Sequence, residues 1–103
     1  MMRSSRGMTL GDVYWLTTDV HPHVIVAPTP LTVARITSNL NRVKAPGCVL
    51  LASGEANLPK QSVVLAFSTL TVAAEQLREH IGTLTASRVE ELSAARRFVA
   101  HFG

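Results

Sequence analysis

Histidine is the side chain whose ordinary pKa, about 6.5, lies closest to neutrality. The segment His21-Pro22-His23 is therefore the place where this chain could pass a proton. An i, i+2 spacing puts both rings on one side of an extended strand, which invites a metal reading. Zinc asks for more, and no third convergent Cys, His or carboxylate accompanies the pair, so no metal site is expected. His80 and His101 are isolated and read as surface or interface residues. Further along, the strand-like run Thr32-Val33-Ala34-Arg35-Ile36-Thr37 alternates across its two faces and groups Val33, Arg35 and Thr37 on one of them. Cys48 stands inside the apolar run Cys48-Val49-Leu50-Leu51 with no basic neighbour. It reads as a small buried hydrophobe in a reduced compartment rather than as a reactive thiol.

These groups need a frame, and the spacing of apolar residues supplies one. The chain has 103 residues, 47% of them hydrophobic, enough for one domain with one core. From Gly11 to about Val72 the apolar residues come in short β-branched bursts separated by Pro, Gly and Asn, the pattern of a small, mainly β unit. Strands are expected at Asp12 to Leu16, His23 to Ala27, Thr32 to Thr37, Cys48 to Ala52 and Gln61 to Phe67, the last extendable through Thr69 to Val72. Pro22 and Pro28 lack a backbone donor and belong at strand ends. Ala73 to Arg78 are mostly good helix formers and are expected to make a turn or two of helix. His80 to Leu84 would return as an edge strand. A final helix of about four turns is expected, capped by Thr85, or by Ser87 with Glu90 as a capping box; its apolar stripe of Val89, Leu92, Val99 and Phe102 is interrupted at Arg96. Tyr14 and Trp15 alternate on the first strand, so one belongs in the core and the other is open to stacking or to an interface.

Charge and length exclude some classes of function. Ten Lys and Arg against seven Asp and Glu give a net charge of +3, which favours polyanions but falls short of a DNA-coating protein. No run approaches the roughly 18 apolar residues of a membrane span, and Met1 to Met8 lacks the apolar stretch of a signal sequence. That segment reads as a tail preceding a domain from Thr9 to Gly103, and a cytoplasmic protein is expected.

Order and spacing then become specific. Gly11-Asp12-Val13-Tyr14-Trp15, His21-Pro22-His23-Val24, Ile36-Thr37-Ser38-Asn39-Leu40, Asn57-Leu58-Pro59-Lys60-Gln61-Ser62-Val63-Val64, and Ile81-Gly82-Thr83-Leu84 with Arg88-Val89-Glu90 resemble, in this order, the PemK/MazF toxins of type II toxin–antitoxin systems. The resemblance covers nearly the whole chain from Gly11 onward. It implies an SH3-like barrel with a C-terminal helix, a two-fold homodimer, a cognate antitoxin that blocks the groove, and cleavage of single-stranded RNA at short sequence motifs. The ribose 2′-hydroxyl would attack the adjacent phosphorus, without a metal or other cofactor. Fold does not fix activity, and a weak or inactive homologue acting by binding antitoxin, RNA or gyrase is the alternative.

The resemblance also assigns residues. Thr37 matches the family's active-site threonine, whose hydroxyl would hydrogen-bond a phosphate oxygen; read without the family, it is simply a good strand residue. His21 stands where many members carry an arginine before proline, although a branch shows the His-Pro-His pattern. A histidine can shuttle a proton but cannot give a phosphate a permanent bidentate cation. Arg35, on Thr37's strand face, is expected to supply that charge while His21 handles the proton. Ser38 and Asn39 would contact the RNA backbone or a base edge, or form the turn. Arg42 and Lys44 would extend a basic track along the groove, and Lys60 and Gln61 would touch a phosphate or base. The chain between His23 and Thr37 is shorter than the family pattern, and its Ala27-Pro28-Thr29-Pro30-Leu31 loop is expected to border the groove. Ser68 replaces an amide often found in the following strand.

Overall fold

The computed structural model describes residues 9–41 and 47–102, which leaves the expected tail and the segment holding Arg42 and Lys44 outside the described residues. Six strands form one antiparallel sheet: β1 (Asp12–Leu16), β2 (His23–Pro28), β3 (Leu31–Thr37), β4 (Cys48–Leu51), β5 (Ser62–Thr71) and β6 (Leu77–Thr83), in the order β4-β5-β3-β2-β1-β6. One helix, α1 (Ala86–Phe102), closes the chain. The mainly β frame with a late helix matches the reading of the sequence, element by element, with two differences.

The first difference is Ala73 to Arg78. Only Ala74–Gln76 turn, as a single 3-10 turn that the Gln76 side chain ties to the Ala73 N–H at 2.9 Å, and Leu77 already opens β6. Leu77 pairs with Leu16 of β1 and packs beside Tyr14, Ile25 and Val33. Even partial burial of a leucine, worth about 1 kcal/mol where full burial is worth about 1.5–3, exceeds the few tenths per residue by which helix formers prefer a helix. The second is β5, where the two expected segments are one strand. Its register against β3 jumps between Ala34↔Thr69 and Arg35↔Leu65, so the strand bends there. The first half, from Ser62 to Leu65, lies between β3 and β4; the second half pairs with β3.

The central strands bury apolar side chains on both faces of the sheet. Val13, Val24, Ala34, Ile36, Leu51 and Val64 join Leu92 of α1 in the larger core, while Tyr14, Leu16, Ile25, Val33 and Val72 form a second cluster. Tyr14 is therefore the core member of its pair, 8% exposed, and Trp15 is the open one at 39%. The apolar stripe of α1 breaks at Arg96 because the guanidinium donates to the Val26 carbonyl at 3.2 Å. Thr85, and not Ser87, caps the helix: its Oγ1 accepts the Arg88 N–H at 3.3 Å and its carbonyl accepts the Val89 N–H at 2.9 Å.

The sheet edges β4 and β6 do not pair, and the turn that follows β4 meets β6 instead, giving a small-barrel-like shape rather than a closed ladder. A turn at Glu55–Asn57 bridges them. Asn57 donates from Nδ2 to the Ile81 carbonyl at 2.9 Å, and Ala56 lies so close to Gly82 that a Cβ there would collide with its carbonyl. Ala56 and Asn57 take left-handed backbone angles, φ 51° and 63°, which Asn tolerates better than Ala. Arg88 of α1 secures the turn through two bonds to Glu55, at 2.9 and 2.7 Å. Among the described residues no helix is long and apolar enough to cross a membrane.

Candidate active site

The turn at Glu55–Asn57, the end of β3 and the β1–β2 connection surround a groove of about 460 Å³. His21 and Pro22 come from the connection, Thr37 and Ser38 from the end of β3, Asn57 and Lys60 from the stretch before β5. Trp15 and Val20 stand at its margin, the latter 84% exposed. No carboxylate is among the described residues lining it, and Lys60 is the one Lys or Arg there. The groove thus presents three hydroxyls, an imidazole, an amide, an ammonium and an exposed indole, a set suited to a polyanion carrying flat bases.

The backbone at His21 is pinned from several directions. Its N–H donates to Asp19 Oδ1 at 3.0 Å, and its carbonyl accepts Nδ1–H of His23 at 2.9 Å. The next carbonyl, that of Pro22, accepts the Ile36 N–H at 2.9 Å and fastens the connection to β3. The side chain is held too: its Nδ1 lies 2.9 Å from Asp19 Oδ1. His23 is fully buried, 0% exposed, and its Nε2 lies 3.7 Å from Asp19 Oδ2. Burial drives its ring below the ordinary histidine value, against the opposing effects of the His21 carbonyl and the Asp19 carboxylate, so it is neutral. The two rings expected on one side differ in setting: His21 lines the groove and His23 is buried, and each approaches a different oxygen of Asp19. Among the described residues no group of three His, Cys, Asp or Glu is arranged to hold a metal ion.

Thr37 Oγ1 accepts the Asn39 N–H at 3.1 Å. A hydroxyl has two lone pairs and one proton, so this bond fixes the oxygen and leaves the proton to donate. Asn39 in turn accepts the Asn41 N–H through Oδ1 at 3.2 Å, making Asn39 a turn residue outside the groove lining.

A family model described as PemK-like, MazF-like toxin of type II toxin–antitoxin system matches residues 10–99. This chain belongs to that family. A search of curated proteins gave no match. Solved structures extend the comparison to the fold of the toxin. An endoribonuclease from a mycobacterial species superposes with a TM-score of 0.76 at 18% identity, over 95% of this chain and 96% of the other. An endoribonuclease from a mycobacterial species in complex with its cognate antitoxin gives 0.75 at 18%, over 91% and 95%. Mycobacterium tuberculosis toxin MazF-mt6 gives 0.74 at 23%, over 88% and 96%. At such identities the likeness speaks for the fold, and the toxin's site must be argued from its own residues.

Of the residues singled out in the toxin's sequence, His21, Thr37, Ser38 and Lys60 meet at the groove, and Gln61 is exposed beside it without lining it. Arg35 is placed differently. Its Nη2 donates to Asp19 Oδ2 at 3.0 Å, so its charge is committed to that carboxylate and it does not line the groove. Its cross-strand neighbour is His23. The Pro-containing loop is also elsewhere: Thr29-Pro30 link β2 to β3 at the end of β3 opposite Thr37, about 20 Å away along the strand. It does not border the groove as expected. Two residues escaped the sequence reading, Asp19 and Asn57. Asp19 had a signal, since Asp two residues before a backbone N–H is the pattern of an Asx turn. Asn57 becomes visible only when β6 is brought against its turn.

Proposed function

We propose that this toxin is an endoribonuclease that cuts single-stranded RNA by attack of a ribose 2′-hydroxyl on the adjacent phosphorus. What supports the reading above all is the meeting of His21 and Thr37 in one carboxylate-free groove beside Lys60. The 2′-oxygen–phosphorus bond forms while the phosphorus–5′-oxygen bond breaks, giving a cyclic phosphate and a 5′-hydroxyl. His21, through the ring nitrogen that Asp19 does not hold, takes the 2′-hydroxyl proton and returns a proton to the departing oxygen. Thr37 donates its hydroxyl proton to a non-bridging phosphate oxygen as charge builds there, and Lys60 adds a positive charge. Ser38 and Asn57 contact the backbone or a base edge, and Trp15 offers a face for a base. Arg35 acts through Asp19 rather than on the phosphate. The protein resembles the solved endoribonucleases in fold, and one of those is held by its cognate antitoxin. On this reading the toxin works in the cytoplasm as a homodimer, and a cognate antitoxin blocks it over the groove.

Purified protein incubated with a long single-stranded RNA in EDTA is expected to cut it, and the His21→Ala protein to cut about 10²–10⁴-fold more slowly. Cleavage abolished by EDTA would overturn the metal-free chemistry. Binding of the RNA without any cleavage would replace the enzyme by a binding protein that retains the toxin fold.

A further inference from the structure

The geometry points to Asp19 as a positioning residue: it holds the His21 ring with hydrogen on Nδ1 and so makes Nε2 the nitrogen that exchanges protons with RNA. This rests on the ribonuclease reading of the groove for its consequence, but not for its geometry. Asp19 divides its two oxygens. Oδ1 accepts both the backbone N–H and the ring Nδ1–H of His21, at 3.0 and 2.9 Å, and Oδ2 accepts Arg35 Nη2 at 3.0 Å. The carboxyl is held far below the usual carboxylate range, chiefly by the His21 ring bond, with the Arg35 charge contributing. An ionised carboxylate can only accept, so the ring nitrogen against it must carry the hydrogen.

An Asx turn by itself would need only the backbone N–H bond. The ring bond and the guanidinium are additional, and both bear on the proton chemistry. The ring cannot rotate without breaking a bond to a partly buried, charged partner; the Asp19 side chain is 19% exposed. Arg35 fixes the second oxygen, so the carboxylate cannot swing away with the ring. When Nε2 takes a proton, the imidazolium formed has a carboxylate already in place against its other nitrogen, which offsets the positive charges of Arg35 from β3 and Lys60 across the groove. His23 of β2, buried and neutral, pins the His21 carbonyl through Nδ1, and its Nε2 faces Asp19 Oδ2 at 3.7 Å, beyond hydrogen-bond distance. The arrangement is a carboxylate–imidazole pair in which the carboxylate orients and stabilises without itself titrating.

The test combines a structural readout with a kinetic one. Long-range ¹H–¹⁵N correlation NMR of the wild-type protein, without RNA, is expected to show His21 as the Nδ1–H tautomer. In Asp19→Asn, which keeps an oxygen for the Asx turn but loses the charge, the ring is expected to shift toward Nε2–H. The single-turnover rate on RNA should fall about 10²-fold while the KM changes little. A wild-type ring found as Nε2–H, or an Asp19→Asn protein cutting at the wild-type rate, overturns the proposal. The wild-type measurement needs no variant to fold and no activity. If the wild-type protein cuts no RNA, that result counts against the ribonuclease reading, and the tautomer still decides whether Asp19 holds the ring.

Discussion

Thr37 and His23 show how a single hydrogen bond sets what a side chain can do. Because the Asn39 N–H occupies a lone pair of Thr37 Oγ1, the hydroxyl is oriented before any ligand arrives. Replacing it with valine keeps the shape and removes the donor, so Thr37→Val is expected to lower the single-turnover rate about 10²-fold or more. Thr37→Ser should retain most of the rate, and a thermal melt will show that both remain folded. His23 matters through its proton. Burial lowers its folded value below the ordinary 6.5, so between the two values the unfolded chain binds a proton that the folded chain does not. Stability is therefore complete above about pH 6.5 and declines as the pH falls below it. Urea midpoints at about pH 7.5 and about pH 5.5 should show that loss. It should shrink in His23→Asn, whose amide can still donate to the His21 carbonyl. That His21 and Thr37 belong together at one site was legible in the sequence as motifs. That His23 is buried, and that Asp19 also meets Arg35, was not, because the first depends on the pairing of β2 with β3 and the second on where the β1–β2 connection lies beside β3.

At the scale of elements, the groove exists because the turn at Glu55–Asn57 leans on β6. Gly82 makes this contact possible, since any larger residue would drive a Cβ into the Ala56 carbonyl. Gly82→Ala is expected to cost about 1–3 kcal/mol, read as a lower urea midpoint, and to weaken RNA binding by displacing Asn57. The strands were readable because β-branched bursts fenced by proline and glycine have few other uses. The one-turn segment before β6 was misread because helix propensity is a local quantity. Leu77 follows a non-local reward, its pairing with Leu16.

Across the whole molecule, a net charge of +3 gives a weak general attraction to RNA, and the groove concentrates it at Lys60. Binding of single-stranded RNA to the Thr37→Val protein should weaken between about 50 and about 200 mM salt. Lys60→Ala should flatten the slope of log affinity against log salt by about 0.7, the share of one phosphate contact on a single strand. An unchanged slope would remove Lys60 from the RNA path. The sequence by itself determined the mainly β frame, the late helix, the toxin family and the order of the His21, Thr37 and Lys60 segments. Those follow from local periodicity and from motifs short enough to read along the chain. Only the tertiary structure decided that Arg35 bonds Asp19 outside the groove lining, that the Thr29-Pro30 turn lies at the far end of β3, and that Asn57 lines the groove. Each of these is a matter of strand register and sheet curvature, which arise from pairing between distant segments and leave no mark in the spacing of residues along the chain.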